Sequence, residues 1–434
     1  MHSSRFSALA LSACLGATLA ACTDRTDADP ASSTPANVAA SDTQAPAPDT
    51  SYRLQDWPLP TPEGAAQPDL IAAPDGSLLL SWIEPAGAGR HALRFARHAE
   101  GAWSEPRTIA TGGDWFVNWA DTPHIAATAD GALWAHWLQK SAAATYAYDV
   151  ALARSGDGGA TWSAPVLVND DGTPTEHGFV SLWPDRDDGI AIAWLDGRHM
   201  HGAAQAAHGG DEAMMTLRTA RFDAALARSD ERELDASVCD CCQTDSAATD
   251  RGRLLVYRDR TAAEIRDIYA TREGGEGWTA PRRVHADDWT MPACPVNGPA
   301  VDARGNHALV GWYTAAGGTP RVLLARSTDA GDSFGPPREL DAGNQVQGRV
   351  SVALGADAAW ALWTTEDADG QRLQLARLAP DLTRELQRIE LARLSGRGRA
   401  TGFPQLALVD DAAFVVWTDV VDKRPRLHAA RVAM

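Results

Sequence analysis

Seven short apolar runs, each ending on an aromatic, divide the chain at near-regular intervals. They read Leu78-Leu-Leu-Ser-Trp82, Leu133-Trp-Ala-His-Trp137, Ile190-Ala-Ile-Ala-Trp194, Leu254-Leu-Val-Tyr257, Ala308-Leu-Val-Gly-Trp312, Ala359-Trp-Ala-Leu-Trp363 and Ala413-Phe-Val-Val-Trp417. The closing aromatics lie 51 to 63 residues apart. Each run is preceded by a Gly/Pro-rich approach, an apolar stretch and an Asp/Gly turn, and is followed by a loop and a hairpin. One unit therefore holds four short strands, and a period of this length with four strands per unit is that of a β-propeller. The last unit ends at Met434 after only three candidate strands. The orphan segment Tyr52-Arg-Leu-Gln-Asp-Trp57-Pro-Leu matches the outer strands elsewhere (Pro106-Arg-Thr-Ile, Pro165-Val-Leu-Val, Pro281-Arg-Arg-Val). It is predicted to complete the blade made by 402–434, joining the termini and protecting the sheet edges. The expectation is an all-β, single-domain propeller over 51–434 with seven four-stranded blades closed by an N-terminal strand; six blades plus one irregular unit is the alternative.

Three hairpins carry a second repeat: Ser155-Gly-Asp157-Gly-Gly159-Ala-Thr-Trp162, Thr271-Arg-Glu273-Gly-Gly275-Glu-Gly-Trp278 and Ser327-Thr-Asp329-Ala-Gly331-Asp-Ser-Phe334. The acid can accept hydrogen bonds from turn amides, the glycine can take a positive φ, and the aromatic can anchor the turn on the sheet. This pattern resembles the Asp-box (BNR) repeat of sialidase-like β-propellers. The resemblance implies the propeller fold and places the hairpins on the face away from that family's active site. It also implies a possible exo-sialidase chemistry, with three arginines gripping the substrate carboxylate, a Tyr–Glu nucleophile pair and an aspartate acid. The family's Phe/Tyr-Arg-Ile-Pro motif is missing: Tyr52-Arg53-Leu-Gln does not match it and falls in the predicted outer strand.

The first 50 residues set the expected address. Arg5 precedes an apolar stretch, Phe6 to Ala21, too short for a membrane span, and the stretch ends Leu19-Ala20-Ala21-Cys22. This resembles a bacterial lipobox, with 1–21 as signal peptide and lipid on Cys22. Thr23 follows, so no aspartate retains the protein at the inner membrane, and an outer-membrane lipoprotein on the periplasmic side is expected. Residues 23–50 are Ala, Pro, Ser, Thr and Asp with little to bury, which reads as a tether. The net charge of −18 argues against nucleic acid as partner. The expected partners are the membrane, through the lipid, and a glycan or other small ligand; a monomer is expected.

In a propeller the start of each inner strand and the loop after each second strand share one face, the axial mouth. Two positions past the marker aromatics stand Glu84, Gln139, Asp196, Asp259, Thr314, Thr365 and Asp419, all polar. Arg198, Arg258, Arg260 and Arg349 fall on the same face and are the candidate carboxylate-binding residues, with Asp259 or Glu264 as candidate acid. The plainer reading pairs these arginines with the many mouth acids. Cys239, Cys241, Cys242 and Cys294 begin two adjacent units. Structural disulfides are one reading, with Cys294 bonded to one of the triplet or Cys241 to its neighbour Cys242. A copper or zinc site with His199, His201 and Met200 is the second. Redox-active thiols are the third.

Overall fold

The computed structural model describes residues 51–185, 188–200 and 214–434. The described residues form seven antiparallel sheets, six of them laid down in chain order from an inner to an outer strand. Blade 1 comprises Ala66–Ala72, Leu78–Pro85, His91–Ala99 and Arg107–Gly112. Blade 2 runs Ile125–Ala127, Leu133–Lys140, Tyr148–Ser155 and Val166–Leu167. Blade 3 is His177–Asp185, Gly189–Asp196, Met215–Phe222 and Arg228–Val238. Blade 4 holds Asp245–Thr249, Gly252–Arg258, Ile268–Gly274 and Arg282–Arg283. Blade 5 is Ala300–Arg304, His307–Thr314, Arg321–Ser327 and Arg338–Ala342. Blade 6 is Val346–Leu354, Ala359–Asp367, Gly370–Leu378 and Glu385–Leu394. Blade 7 takes Gln405–Val409, Ala412–Val421 and Arg424–Ala433 from the C-terminus and Arg53–Asp56 from the N-terminus.

The molecule is thus a seven-bladed propeller, and the pairing excludes the six-bladed alternative. Arg53 faces Ala433 and Asp56 faces Ala430 across the closing pair. Gln387 of blade 6 holds that strand from the side: its Nε2 donates to the Tyr52 carbonyl at 2.7 Å and its Oε1 accepts from the Tyr52 N–H at 3.0 Å. Among the described residues no helix is long and apolar enough to cross a membrane.

The core follows from the alternation along each strand. Buried apolar side chains gather between neighbouring blades: 1 with 2, 2 with 3, and so round to 7 with 1. The marker residues Trp82, Trp194, Trp312 and Trp363 are completely buried. A buried indole N–H needs an acceptor. Glu84 and Asp196, two residues on, supply it for Trp82 and Trp194 at 2.7 and 2.8 Å, while Asp287 and Asp341 do so for Trp312 and Trp363 at 2.7 and 2.8 Å. Aspartates on the inner strands or at their approaches then stitch blade to blade. Asp69 accepts from the Ile125 N–H, Asp121 from Phe179 and Asp245 from Val301, each at 2.8 Å, and Asp302 accepts from Leu354 at 2.7 Å.

Two of the three hairpins share one geometry. Ser155 Oγ donates to Asp157 Oδ1 at 2.7 Å and accepts from the Gly159 N–H at 2.8 Å, and Asp157 takes the Thr161 N–H at 2.9 Å. Ser327, Asp329, Gly331 and Ser333 repeat the set at 2.7, 2.8 and 2.9 Å. Gly159 has φ +85°, and a Cβ there would lie 2.2 Å from the Phe95 ring of the preceding blade. Trp162 packs on that same ring. The blade 4 copy departs from the expectation. Glu273 lies within the strand rather than capping the turn, and its carboxylate meets Arg221 of blade 3. The longer glutamate side chain reaches a neighbouring guanidinium instead of its own turn amides. Trp278 still packs on the preceding blade, edge-on to Trp183 at 6.3 Å.

A cavity at the axial mouth

Antiparallel strands that start their first member at one face end their second and start their third there. The mouth is therefore built from the approaches to the inner strands and the loops after the second strands. Three inner strands begin with the same irregularity. Gln67, Phe179 and Arg349 adopt φ of 50°, 51° and 54°, each beside a break in register with the second strand. Such a bulge re-aims one side chain. At blade 6 it turns Arg349 toward the axis, where its N–H is held by Asn297 Oδ1 at 2.8 Å.

A cavity of about 270 Å³ opens there, bounded by Trp119, Trp289, Tyr313, Cys294, Arg349 and Arg399, among others. Trp119 comes from the loop between blades 1 and 2 and stacks on Phe403, ring centres 5.8 Å apart and planes 14° from parallel. The guanidinium carbons of Arg349 and Arg399 stand 5.3 and 5.7 Å from the Trp119 ring. Arg349 is buried; it donates to Thr401 Oγ1, the Gly402 carbonyl and the Gly398 carbonyl at 2.7, 2.9 and 2.7 Å. Burial lowers its pKa to about 10, which leaves it charged at neutral pH. Arg399 is exposed at the rim.

The other arginines singled out in the sequence do not converge on a common acceptor position. Arg258 is almost completely buried and supports the cavity from outside its lining. It donates to the carbonyls of Asn297 (2.9 and 2.7 Å), Arg266 (2.5 Å) and Tyr313 (2.7 Å), and lies 5.0 Å from the Trp289 ring. Arg260 is held by Glu264 at 2.6 Å, and Glu264 is also bound by Arg266 at 2.9 Å. Arg198 is engaged by Asp196 and Glu231 at 2.7 and 3.1 Å. Asp259 and Glu264 are not part of the cavity wall. Burial, reinforced by the Asp235 charge, raises Asp259 to about 7, a value suited to an acid. Burial also acts on Glu264, but Arg260 and Arg266 outweigh it and hold the carboxylate ionised.

Cys241 and Cys294 are joined in a disulfide, tying the approach to blade 4 to the approach to blade 5. Cys241 is therefore not bonded to Cys242. Cys239 and Cys242 are buried free thiols. Three of these sulfurs lie close enough to share one metal ion, but the bond to Cys294 removes Cys241 as a thiolate. His199 stands apart from the sulfur cluster: it is more than half exposed and faces Glu233 of an outer strand at 3.8 Å. His201 and Cys22 lie outside the described residues.

Two polar clusters were not singled out from the sequence. Tyr148 Oη donates among two carboxylates, Asp121 Oδ2 at 2.8 Å and Glu176 Oε1 at 2.7 Å. Burial pushes Asp121 to about 7 and Glu176 to about 8, and it pushes the tyrosine hydroxyl far above its usual value. The hydroxyl is thus held protonated against these carboxylates. Beside it, the buried His177 sits with Nε2 3.1 Å from Asp171 and 3.7 Å from Asp196. Asp196 already accepts from Trp194 and Arg198, while Asp171 Oδ2 faces His177 as an ion pair without a hydrogen bond to that oxygen among the described residues. The signal for both was available in part: Asp121, Glu176 and His177 all fall at approaches to inner strands. Their partners across blades were not.

No protein-family model matches the chain, and no curated protein matches its sequence. In architecture the chain is similar to the crystal structure of polysaccharide lyase Uly1, with 9% identity, 90% of this chain and 94% of that one covered, and TM-score 0.51. It is also similar to a protein of unknown function from Dyadobacter fermentans DSM 18053 (12% identity, 89% and 100% covered, TM-score 0.49). A third match is Trypanosoma rangeli sialidase in complex with the inhibitor DANA (12% identity, 76% and 56% covered, TM-score 0.45). At 9% identity the likeness to the polysaccharide lyase is one of fold alone.

Proposed function

We propose that the protein is a lipid-anchored, sialidase-like propeller of the cell envelope that binds an acidic saccharide at its axial mouth. The observation that carries this is Trp119, whose ring bounds the cavity with Arg349 and Arg399 beside it. An aromatic face suits the apolar face of a sugar ring, and a guanidinium grips a carboxylate through paired N–H donors. Arg349 is anchored and pre-oriented, whereas Arg399 at the rim is the group a ligand carboxylate would reach first. A cavity of about 270 Å³ has room for a terminal sugar rather than a length of chain. The anchor is read from Leu19-Ala20-Ala21-Cys22.

Calorimetric titration with uronate-bearing and neutral oligosaccharides tests the reading. Trp119→Ala should weaken binding of the acidic ligand by roughly tenfold or more. Arg399→Ala should leave binding of neutral sugar unchanged and remove the preference for the acid. Affinities equal to wild type in both variants would place the ligand elsewhere. An exo-sialidase is the weaker reading, because Tyr148 is buried and the candidate arginines are engaged separately; turnover of α2,3-, α2,6- or α2,8-linked sialosides would reverse that order.

A further inference from the structure

The four cysteines at the approaches to blades 4 and 5 hold two oxidation states side by side. Cys241 and Cys294 are bonded, while Cys239 and Cys242 are thiols with their sulfurs 2.8 Å apart. Cys239 Sγ also stands 4.0 Å from Cys241 Sγ, so one thiol touches both its partner and the disulfide. The thiols are buried, each 1% exposed, whereas Cys294 bounds the mouth cavity. A disulfide with no sulfur neighbours would be a simple staple. One in contact with a buried dithiol has an intramolecular exchange partner.

The surroundings divide the two thiols. Burial opposes the Cys239 thiolate, but the hydrogen bond from Cys242 and the Arg266 guanidinium outweigh it and bring the pKa to about 7. Cys242 is pushed the other way, by burial and by the neighbouring Cys239. Arg266 is itself fixed by Asp240 at 3.1 Å and Glu264 at 2.9 Å. Cys239 is then the nucleophile and Cys242 the proton-bearing partner, the division of labour that exchange at paired cysteines requires.

We propose that Cys239, Cys241, Cys242 and Cys294 form a thiol–disulfide exchange site in which the buried dithiol reduces the Cys241–Cys294 bridge. The Cys239 thiolate attacks Cys241 Sγ; the new bond is Cys239–Cys241, and the electron pair of the broken bond leaves on Cys294. The Cys242 thiol then gives up its proton and attacks Cys239 Sγ, forming Cys239–Cys242 and releasing Cys241 as thiolate. Two thiols and one disulfide enter and two thiols and one disulfide remain, so no external oxidant or reductant is needed. The proton released by Cys242 and the one lost on forming the Cys239 thiolate are balanced by protonation of Cys294 and Cys241. The outcome is a thiol at Cys294 facing the mouth, open to small-molecule thiols and disulfides. The segment Met291–Asn297, which forms part of the cavity wall, is then no longer tied to blade 4 by a covalent bond. The proposal does not depend on which ligand the cavity takes.

The test uses the full chain, poised with a dithiol reductant so that each molecule keeps one bridge. It is alkylated under native conditions and mapped by non-reducing proteolysis and mass spectrometry. Wild type should contain both the Cys241–Cys294 and the Cys239–Cys242 isomers, and alkylation of Cys294 should accelerate as pH rises through about 7. Cys239→Ser should hold Cys241–Cys294 alone and slow Cys294 alkylation by roughly tenfold or more. Cys242→Ser should accumulate the Cys239–Cys241 bridge. Wild type carrying only Cys241–Cys294, with Cys294 no more reactive than in Cys239→Ser, would overturn the proposal. So would a zinc ion retained stoichiometrically by Cys239 and Cys242. The pH dependence is read on wild type, so the test survives a variant that fails to fold.

Discussion

The hairpin face and the mouth face use the same residue types under opposite conditions. In the hairpins of blades 2 and 5, Asp157 and Asp329 accept hydrogen bonds from hydroxyls and amides within the same turn, and those bonds hold both carboxylates below their usual pKa. At the mouth and along the inner strands, Asp121, Asp245, Asp302 and Glu176 are driven up by burial, to about 7, 6, 6 and 8. The difference teaches where the acids find their partners. A hairpin aspartate is satisfied within four residues and stays wet, whereas Asp121 is bound to groups 27 and 58 residues away and loses water in the process.

The sharpest way to break the mouth without touching the hairpins is Arg258→Ala. It would leave three buried carbonyls without their donor, and unfolding in denaturant should show a loss of about 3 kcal/mol or more. A loss below about 1 kcal/mol would mean that Arg258 does not organise the mouth. The titration of the two faces should also part in sign. Asp121, Asp245, Asp302 and Glu176 bind protons more tightly in the folded state, so their contribution is complete below about pH 4 and declines as pH rises toward 8. The hairpin aspartates bind protons less tightly, so their contribution is present above about pH 4 and is lost in acid. Thermal melts should therefore reach their highest midpoint near pH 5, and Asp302→Asn should flatten the decline on the alkaline side.

Smaller effects separate the hairpins from one another. Ser327→Ala removes the acceptor of the buried Gly331 N–H and should cost about 1 kcal/mol. Glu273→Ala should cost less, roughly 0.5 kcal/mol, and the loss should shrink in high salt, because Glu273 is tied by charge to Arg221 rather than to its own turn. Equal and salt-independent losses would show that Glu273 plays the turn-capping part after all.

Much of this was legible in the residues. The marker runs, their spacing and the missing fourth strand of the last unit determine seven blades and an N-terminal closure, because strand alternation and turn chemistry act over a few residues. The Ser/Asp/Gly hairpins of blades 2 and 5 belong to the same class, whereas the glutamate copy in blade 4 reads as the same hairpin in sequence and only the structure shows its carboxylate paired with Arg221. The convergence of four cysteines on one part of the mouth was legible too, since all of them precede inner strands of adjacent units. Which sulfurs bond was not. Cys241 rather than Cys242 meets Cys294 because of how two loops, 53 residues apart in sequence, settle against each other. Nor could the chain disclose that Arg258 serves carbonyls 39 and 55 residues away, or that Tyr148 joins Asp121 to Glu176. Local patterns set the blades, but only the closed ring brings the loops of blades 1, 4, 5 and 6 together. The free energies of burial and hydrogen bonding that assign roles at the mouth exist only after that closure.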